Sequence, residues 1–283
     1  MAKAKKENEN AIQTVHSSMA EVPDYLVNFD GPSGVEELAE FITPSRLKVV
    51  QSQSTALLEE FDVGDVVLMP QKILVMKKGA ETPLIFTPLL FFPEWAKWND
   101  YKANKAGEPV ILERTFDRNS GIAQRAKDAN LRYEVHPTNG EWKLNYAEHL
   151  CFIGIIQNVE GLEFMPVVLS FTRGEHKFGS SFSTLISMRR LPGGKPAPIY
   201  SGVYTLELGH RKNGEGNWYG LTPGSGAANY GFDSFVTREQ FDIYRELHVQ
   251  LKAEFDANKI RVDYEDERPE TVSTEAPEGS PNF

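Results

Sequence analysis

Between residues 61 and 221 the chain is cut into short apolar or alternating runs, each closed by Gly, Pro or Asn. Runs of about four to eight residues with such punctuation fit strands and are too short for stable helices. Phe61–Met69 and Ile73–Lys78 flank a turn at Pro70. Leu84–Phe92 is apolar but contains Pro88, so it is expected to bend or to lie at a sheet edge. Leu131–His136 alternates, Pro137-Thr138-Asn139-Gly140 turns the chain, and Trp142–Tyr146 opens the next strand. Leu150–Gln157 and Phe164–Thr172 are separated by Glu160-Gly161. Tyr200–Leu208 alternates, and Asn217–Leu221 follows a Gly/Asn-rich stretch. This spacing predicts a mostly β (α+β) chain built on a small barrel.

Two segments carry helical spacing. Ser180–Arg190 places Phe182, Leu185 and Ile186 on one face and ends in Arg189 and Arg190, which suit the C-terminal end of the helix dipole. Thr237-Arg238-Glu239-Gln240 fits a capping box, opening a helix with Phe241, Tyr244, His248, Leu251 and Phe255 on one side. A shorter acidic helix is expected over Gly34–Phe41. Residues 93–130, with Trp95 and Trp98, are expected to form a loop or helix inserted between strands.

Residues 1–22 lack periodicity and are polar, and 263–283 are rich in Pro, Glu, Ser and Thr. Neither buries enough apolar surface to offset the entropy of ordering, so both are expected to be flexible arms. The expected organisation is a disordered arm over 1–22, a single body over 23–262 and an acidic tail over 263–283. One Cys in 283 residues excludes a disulfide framework. No apolar run approaches the ~20 residues that span a bilayer, and the polar N-terminus lacks the apolar core of a secretory signal. A cytoplasmic location is expected.

The formal net charge of −10 is unevenly spread. Residues 1–40 carry −5 and residues 263–283 carry −6, leaving the body at about +1. Within 165–213, Arg173, Lys177, Arg189, Arg190, Lys195, Arg211 and Lys212 oppose only Glu175 and Glu207. Local fields decide contact within a Debye length of ~10 Å, so overall acidity does not exclude a polyanionic partner.

Enzymatic motifs are sparse. The six His are scattered, and His149 with Cys151 is the only close soft pair, so no metal or cofactor is expected. Leu191-Pro192-Gly193-Gly194-Lys195 is followed by Pro196 rather than Ser or Thr, which reads as a turn and not a phosphate loop. Gly224-Ser225-Gly226 lacks the strand-turn-helix context of a dinucleotide site. Asp62 and Asp65 sit in a turn. The chain is expected to be non-catalytic.

What remains is a basic segment interleaved with aromatic residues: Phe171, Phe178, Phe182, Tyr200 and Tyr204 alternate with the cations above. Cations neutralise phosphates and release counterions, and aromatic faces stack on unpaired bases whatever their identity. Arg173, Lys177, Phe178, Arg189, Arg190, Tyr200, Tyr204, Arg211 and Lys212 are therefore the candidate contacts. The acidic tail, with Asp263, Glu265, Asp266 and Glu267, ends in Phe283. It could occupy the basic surface when no strand is bound, then present Phe283 to a partner's pocket.

Pro44-Ser45-Arg46-Leu47-Lys48-Val49-Val50-Gln51-Ser52, Gly64-Asp65 and Pro93-Glu94-Trp95-Ala96-Lys97-Trp98 resemble segments of a family of tailed-bacteriophage proteins. So do Phe164–Phe171, Lys177-Phe178 through Leu185-Ile186, Tyr200–Tyr204 and Asn217-Trp218-Tyr219. The resemblance is to single-stranded-DNA-binding members with an oligonucleotide/oligosaccharide-binding (OB-like) barrel and an acidic C-terminal tail. It implies strand contacts by Lys177, Arg189, Arg190, Tyr200 and Tyr204, and base stacking by Trp142 and Trp218. It implies replication or recombination proteins of phage or host as tail partners, and no membrane. Ser280-Pro281-Asn282-Phe283 departs from the bacterial form in lacking a dense acidic run before its last residues. The alternative reading is a virion or assembly protein acting as an interaction scaffold.

Overall fold

Two long antiparallel strands form the spine of the structure. They are β4 (Leu84–Trp98) and β7 (Lys143–Ile156), paired from Phe86 opposite Ile156 to Trp98 opposite Asn145. The computed structural model describes residues 43–52, 54, 57–99, 111–137, 143–212, 216–224, 235–260 and 262. The other strands are β1 (Ser45–Val49), β2 (Val66–Met69), β3 (Ile73–Met76), β5 (Ile111–Thr115), β6 (Tyr133–Val135), β8 (Val167–Thr172), β9 (Tyr204–Lys212) and β10 (Asn217–Pro223). Among the described residues three α-helices accompany them: α1 (Gly121–Lys127), α2 (His176–Met188) and α3 (Arg238–Asp256).

The main path of the sheet is β10-β9-β4-β7-β8-β1-β2-β3, with β5 added to β4 and β6 added to β7. The spine thus serves two groups of neighbours. Toward the start of β4 it lies between β9 and β8, and toward its end between β5 and β6. Among the described residues, β4 has a strand partner only in β7 between Thr87 and Glu94. That gap explains two prolines in a central strand. Pro88 stands at a register shift and Pro93 in the one-sided stretch, where fewer ladder bonds require an N–H. Pro88 therefore marks a bend as expected, but the strand is central rather than at an edge. His248 Nδ1 of α3 donates to the buried carbonyl of Leu89 at 2.7 Å.

The sheet curls so that β10 returns beside β1. The side-chain amide of Gln51, just past β1, donates to the Tyr219 carbonyl (2.7 Å) and accepts from the Tyr219 N–H (3.0 Å). One side chain thereby imitates a strand neighbour and closes the seam of an OB-like half-barrel. The fold class is mostly β with inserted helices.

Alternation along β4 and β7 divides the core. Phe86, Leu150 and Phe152 join Phe171, Phe182 and Tyr204 in one cluster, against α2. Cys151, Ile153 and Ile155 join Phe92, Ala96 and Trp98 in the other, against Tyr244, Leu251 and Phe255 of α3. The Cys151 thiol is buried there beside the Ser170 hydroxyl, a structural position.

Thr237 makes the capping box read from sequence: its hydroxyl accepts from Gln240 N–H, and the Gln240 side chain accepts from Thr237 N–H. The expected helix over 180–190 starts earlier and stops earlier. Arg189 is already extended (φ −68°, ψ 127°), so Arg189 and Arg190 follow the helix instead of completing it. Segment 93–130 is corrected from a loop or helix to the end of β4, then β5, then α1. The acidic helix over 34–41, the arms 1–22 and 263–283, and Trp142 lie outside the described residues. Among the described residues no helix is long and apolar enough to cross a membrane.

Candidate nucleic-acid interface

Strand β8 ends at Thr172 opposite His149, and the chain then makes a 3-10 turn, Arg173–Glu175, before α2 begins. Arg173 adopts φ +48°, a left-handed conformation that costs a residue with a Cβ roughly 1 kcal/mol. Its guanidinium lies 4.5 Å from the centre of the Trp98 ring. Two residues later Glu175 turns toward the β9–β10 hairpin. Its Oε1 accepts from Trp218 Nε1 at 2.7 Å and lies 3.5 Å from Arg211 Nε.

Trp218 and Arg211 are directly opposite in the hairpin, so their side chains share a face. Arg211 also donates to Thr222 Oγ1 (2.7 Å) and stacks on Phe178 of α2, its guanidinium carbon 3.8 Å from the ring centre. Lys177 lies 4.9 Å from the same ring and is exposed. Lys212 is exposed one residue beyond Arg211. Its register partner Asn217 precedes Trp218. The other face of the hairpin carries His210 stacked on Tyr219 at 5.0 Å, with Lys78 of the turn after β3 at 4.8 Å from the Tyr219 ring. Hydrogen bonding to Tyr219 holds the Lys78 ammonium above its ordinary pKa, so it is a cation throughout the neutral range.

Glycines make this packing possible at two points. A Cβ on Gly220 would collide with the Glu175 carboxylate, and one on Gly174 would press on the Trp218 ring. Glu175 Oε2 is buried without a hydrogen-bond donor among the described residues. An orphaned buried acceptor costs roughly 1–3 kcal/mol.

The structure gathers Lys177, Phe178, Arg211 and Trp218 on one face of the hairpin, with Arg173 on the adjoining turn, while Lys212 falls on the opposite face with His210 and Tyr219. It does not bring the remaining candidates to this place. Arg189 is 3% exposed, wedged between the rings of Tyr204 (5.0 Å) and Phe235 (4.8 Å). Tyr204 is itself core, packed edge-on against Phe182, and burial raises its phenol pKa above the ordinary value. Tyr200 is half-buried against Phe241 and His248 of α3. Arg190 is exposed, but it lies beyond the far end of α2, about 18 Å from Lys177 at a rise of 1.5 Å per residue. Its guanidinium donates to the carbonyls of Ser187 and Arg189. Asp263, Glu265, Asp266, Glu267 and Phe283 are outside the described residues, as is Trp142.

Sequence reasoning missed Glu175 as the organising group, counting it only as an opposing charge. It also missed a second cation–aromatic cluster. There Arg125 and Lys97 lie over Tyr146 and Lys127 lies over Trp95. Carboxylates already engage that cluster: Glu134 pairs with Arg125 and Lys97, and Glu113 with Lys97. Glu148, opposite Trp95, is bonded to His176 at 2.9 Å, which holds its carboxyl below the usual range.

One buried Glu–His pair invites a catalytic reading. Glu94 Oε2 lies 3.2 Å from His149 Nδ1, and both side chains are fully buried. Trp98 Nε1 donates to His149 Nε2 at 2.9 Å. An indole N–H can only donate, so Nε2 accepts and the proton resides on Nδ1, facing Glu94. The imidazole nitrogen that a general base would use is occupied by Trp98. Arg114 approaches Glu94 Oε1 at 3.5 Å from the other side, leaving a structural network rather than an open site.

The family model described as Pam3 phage gp34-like protein matches residues 72–252, a span that includes the spine, α2, the hairpin and most of α3. No curated protein and no solved structure matches. The match covers well over half of the chain, and the chain belongs to the Pam3 phage gp34-like family of bacteriophage proteins.

Proposed function

We propose that this phage protein binds single-stranded DNA without sequence preference and coats it in the host cytoplasm during replication or recombination. The observation that carries the reading is the hairpin surface, where Lys177 and Arg211 lie on the Phe178 ring and Trp218 stands opposite Arg211. Such a surface offers an extended polyanion both neutralising charge and ring faces, and neither ingredient distinguishes one base from another. An OB-like curled sheet gives it a rigid support. Arg189, Tyr200 and Tyr204 have no place in this interface. In the same reading the chain is non-catalytic, and the acidic stretch 263–283 competes for the hairpin cations and offers Phe283 to replication or recombination partners.

Fluorescence polarisation of labelled oligothymidine tests the proposal. Binding is expected at 50 mM salt and should weaken steeply by 200 mM, with a log–log slope of about −0.7 per phosphate contacted. Removing 264–283 should tighten it. No binding by the full chain at low salt would leave a virion or assembly role as the better reading.

Arg173 offers a separation of roles. Arg173→Gly removes a cation next to the site but relieves the positive φ. The relief of about 1 kcal/mol roughly offsets the lost contact with Trp98, worth ~0.5–1 kcal/mol at an exposed site. The thermal midpoint is expected to stay within a few degrees of wild type while oligothymidine affinity falls. A large loss of stability with unchanged affinity would assign Arg173 to the fold alone.

A further inference from the structure

Glu175 is the residue immediately before α2, and its carboxylate makes no cap bond to the helix. It is held instead by the hairpin: Trp218 Nε1 donates to Oε1, and Arg211 is its cationic neighbour. The cradle is completed by Gly220, whose missing side chain leaves the space that Oε2 fills. Oε2 meets no donor there among the described residues, so the carboxylate fits the cradle by charge and only partly by hydrogen bonding. Arg211 Nε is likewise buried without a hydrogen-bond partner among the described residues, so the carboxylate leaves a guanidinium donor unused, and with the indole N–H and a bare stretch of backbone that donor forms a receptor for a tetrahedral oxyanion, whose oxygens diverge to reach both.

We propose that Arg211, Trp218 and Gly220 form a phosphate subsite, and that Glu175 occupies it as an internal competitor until a phosphate displaces it. This rests on the single-strand reading for the identity of the phosphate, which would be a backbone phosphodiester. The shared chemistry also admits free inorganic phosphate. Glu175 thereby sets the affinity threshold of the surface. A strand that contributes several phosphates at once displaces the carboxylate, whereas an isolated anion competes poorly.

The test compares the full chain with Glu175→Gln, an isosteric change that retains an acceptor for Trp218. Oligothymidine polarisation is measured across a salt series. In parallel, the Trp218 indole N–H resonance is followed by NMR during titration with inorganic phosphate alone. Glu175→Gln is expected to bind oligothymidine roughly 2- to 5-fold tighter, the worth of an ion pair that no longer has to be broken. Its salt slope should be steeper by up to about 0.7, one phosphate's share. Its Trp218 indole resonance should shift at lower phosphate concentration than in wild type. Equal or weaker strand affinity in the variant overturns the competitor role. If the wild-type chain binds no strand at all, the single-strand reading falls by itself. The subsite then stands on the phosphate titration, and an indole resonance that moves in neither protein overturns it.

Discussion

Replacing Phe182 with alanine is expected to lower the free energy of unfolding by about 3–5 kcal/mol. Phe182 is fully buried at the centre of the aromatic cluster that joins α2 to the sheet. Its ring lies 4.8 Å from Phe152, 5.1 Å from Tyr204, 6.2 Å from Phe86 and 6.4 Å from Phe171. These partners come from β4, β7, β8 and β9, so no single element can shift to fill the void. The consequence reaches the hairpin surface, because α2 carries Lys177 and Phe178 one turn before Phe182. Chemical denaturation of Phe182→Ala measures the loss. A cost below about 1 kcal/mol would show that α2 is not anchored through this ring.

Glu94→Ala is expected to cost a further large amount, about 3–5 kcal/mol, because it breaks a buried charged network by removing one member. His149 would lose the acceptor for its Nδ1 proton, and Arg114 would lose its counterion. Glu94→Gln retains an acceptor oxygen and should cost distinctly less. Neither change touches the hairpin, so oligothymidine affinity per folded molecule should hold in both. Urea unfolding together with polarisation separates the two effects. Lost affinity in a folded Glu94→Gln protein would show that the network acts on the binding surface.

The capping box at Thr237 and the apolar face of α3 were legible from sequence because local chemistry alone produces them. The strands of the β9–β10 hairpin were legible in part: the one expected over Tyr200–Leu208 starts at Tyr204, after a 3-10 turn, and runs on to Lys212. The spine was not. Residues of β4 are buried on both faces, between one core cluster and the other, so the period-two signal of a half-buried strand is absent. Pro88 argued further against a central strand. Only the one-sided pairing of Thr87–Glu94, a tertiary fact, reconciles it with one.

The candidate interface was legible as a composition and not as a place. Arg189 and Arg190 are adjacent, yet extended backbone after Met188 sends one into the core and leaves the other at the surface. Tyr204 reads as a surface aromatic among cations, but its strand packs directly beside β4 and encloses the ring. Glu175 reads only as an opposing charge within the basic segment. Its actual role depends on Trp218, 43 residues away in sequence.

The central claim is that the strand lies on the hairpin and on the start of α2. Photocrosslinking oligothymidine to the full chain, followed by peptide mapping, tests this most directly. Adducts are expected on peptides carrying Phe178, Trp218 and Tyr219, and they should be lost as salt is raised. Adducts confined to the Tyr133–Val135 edge or to α3, or none at all at low salt, would contradict it.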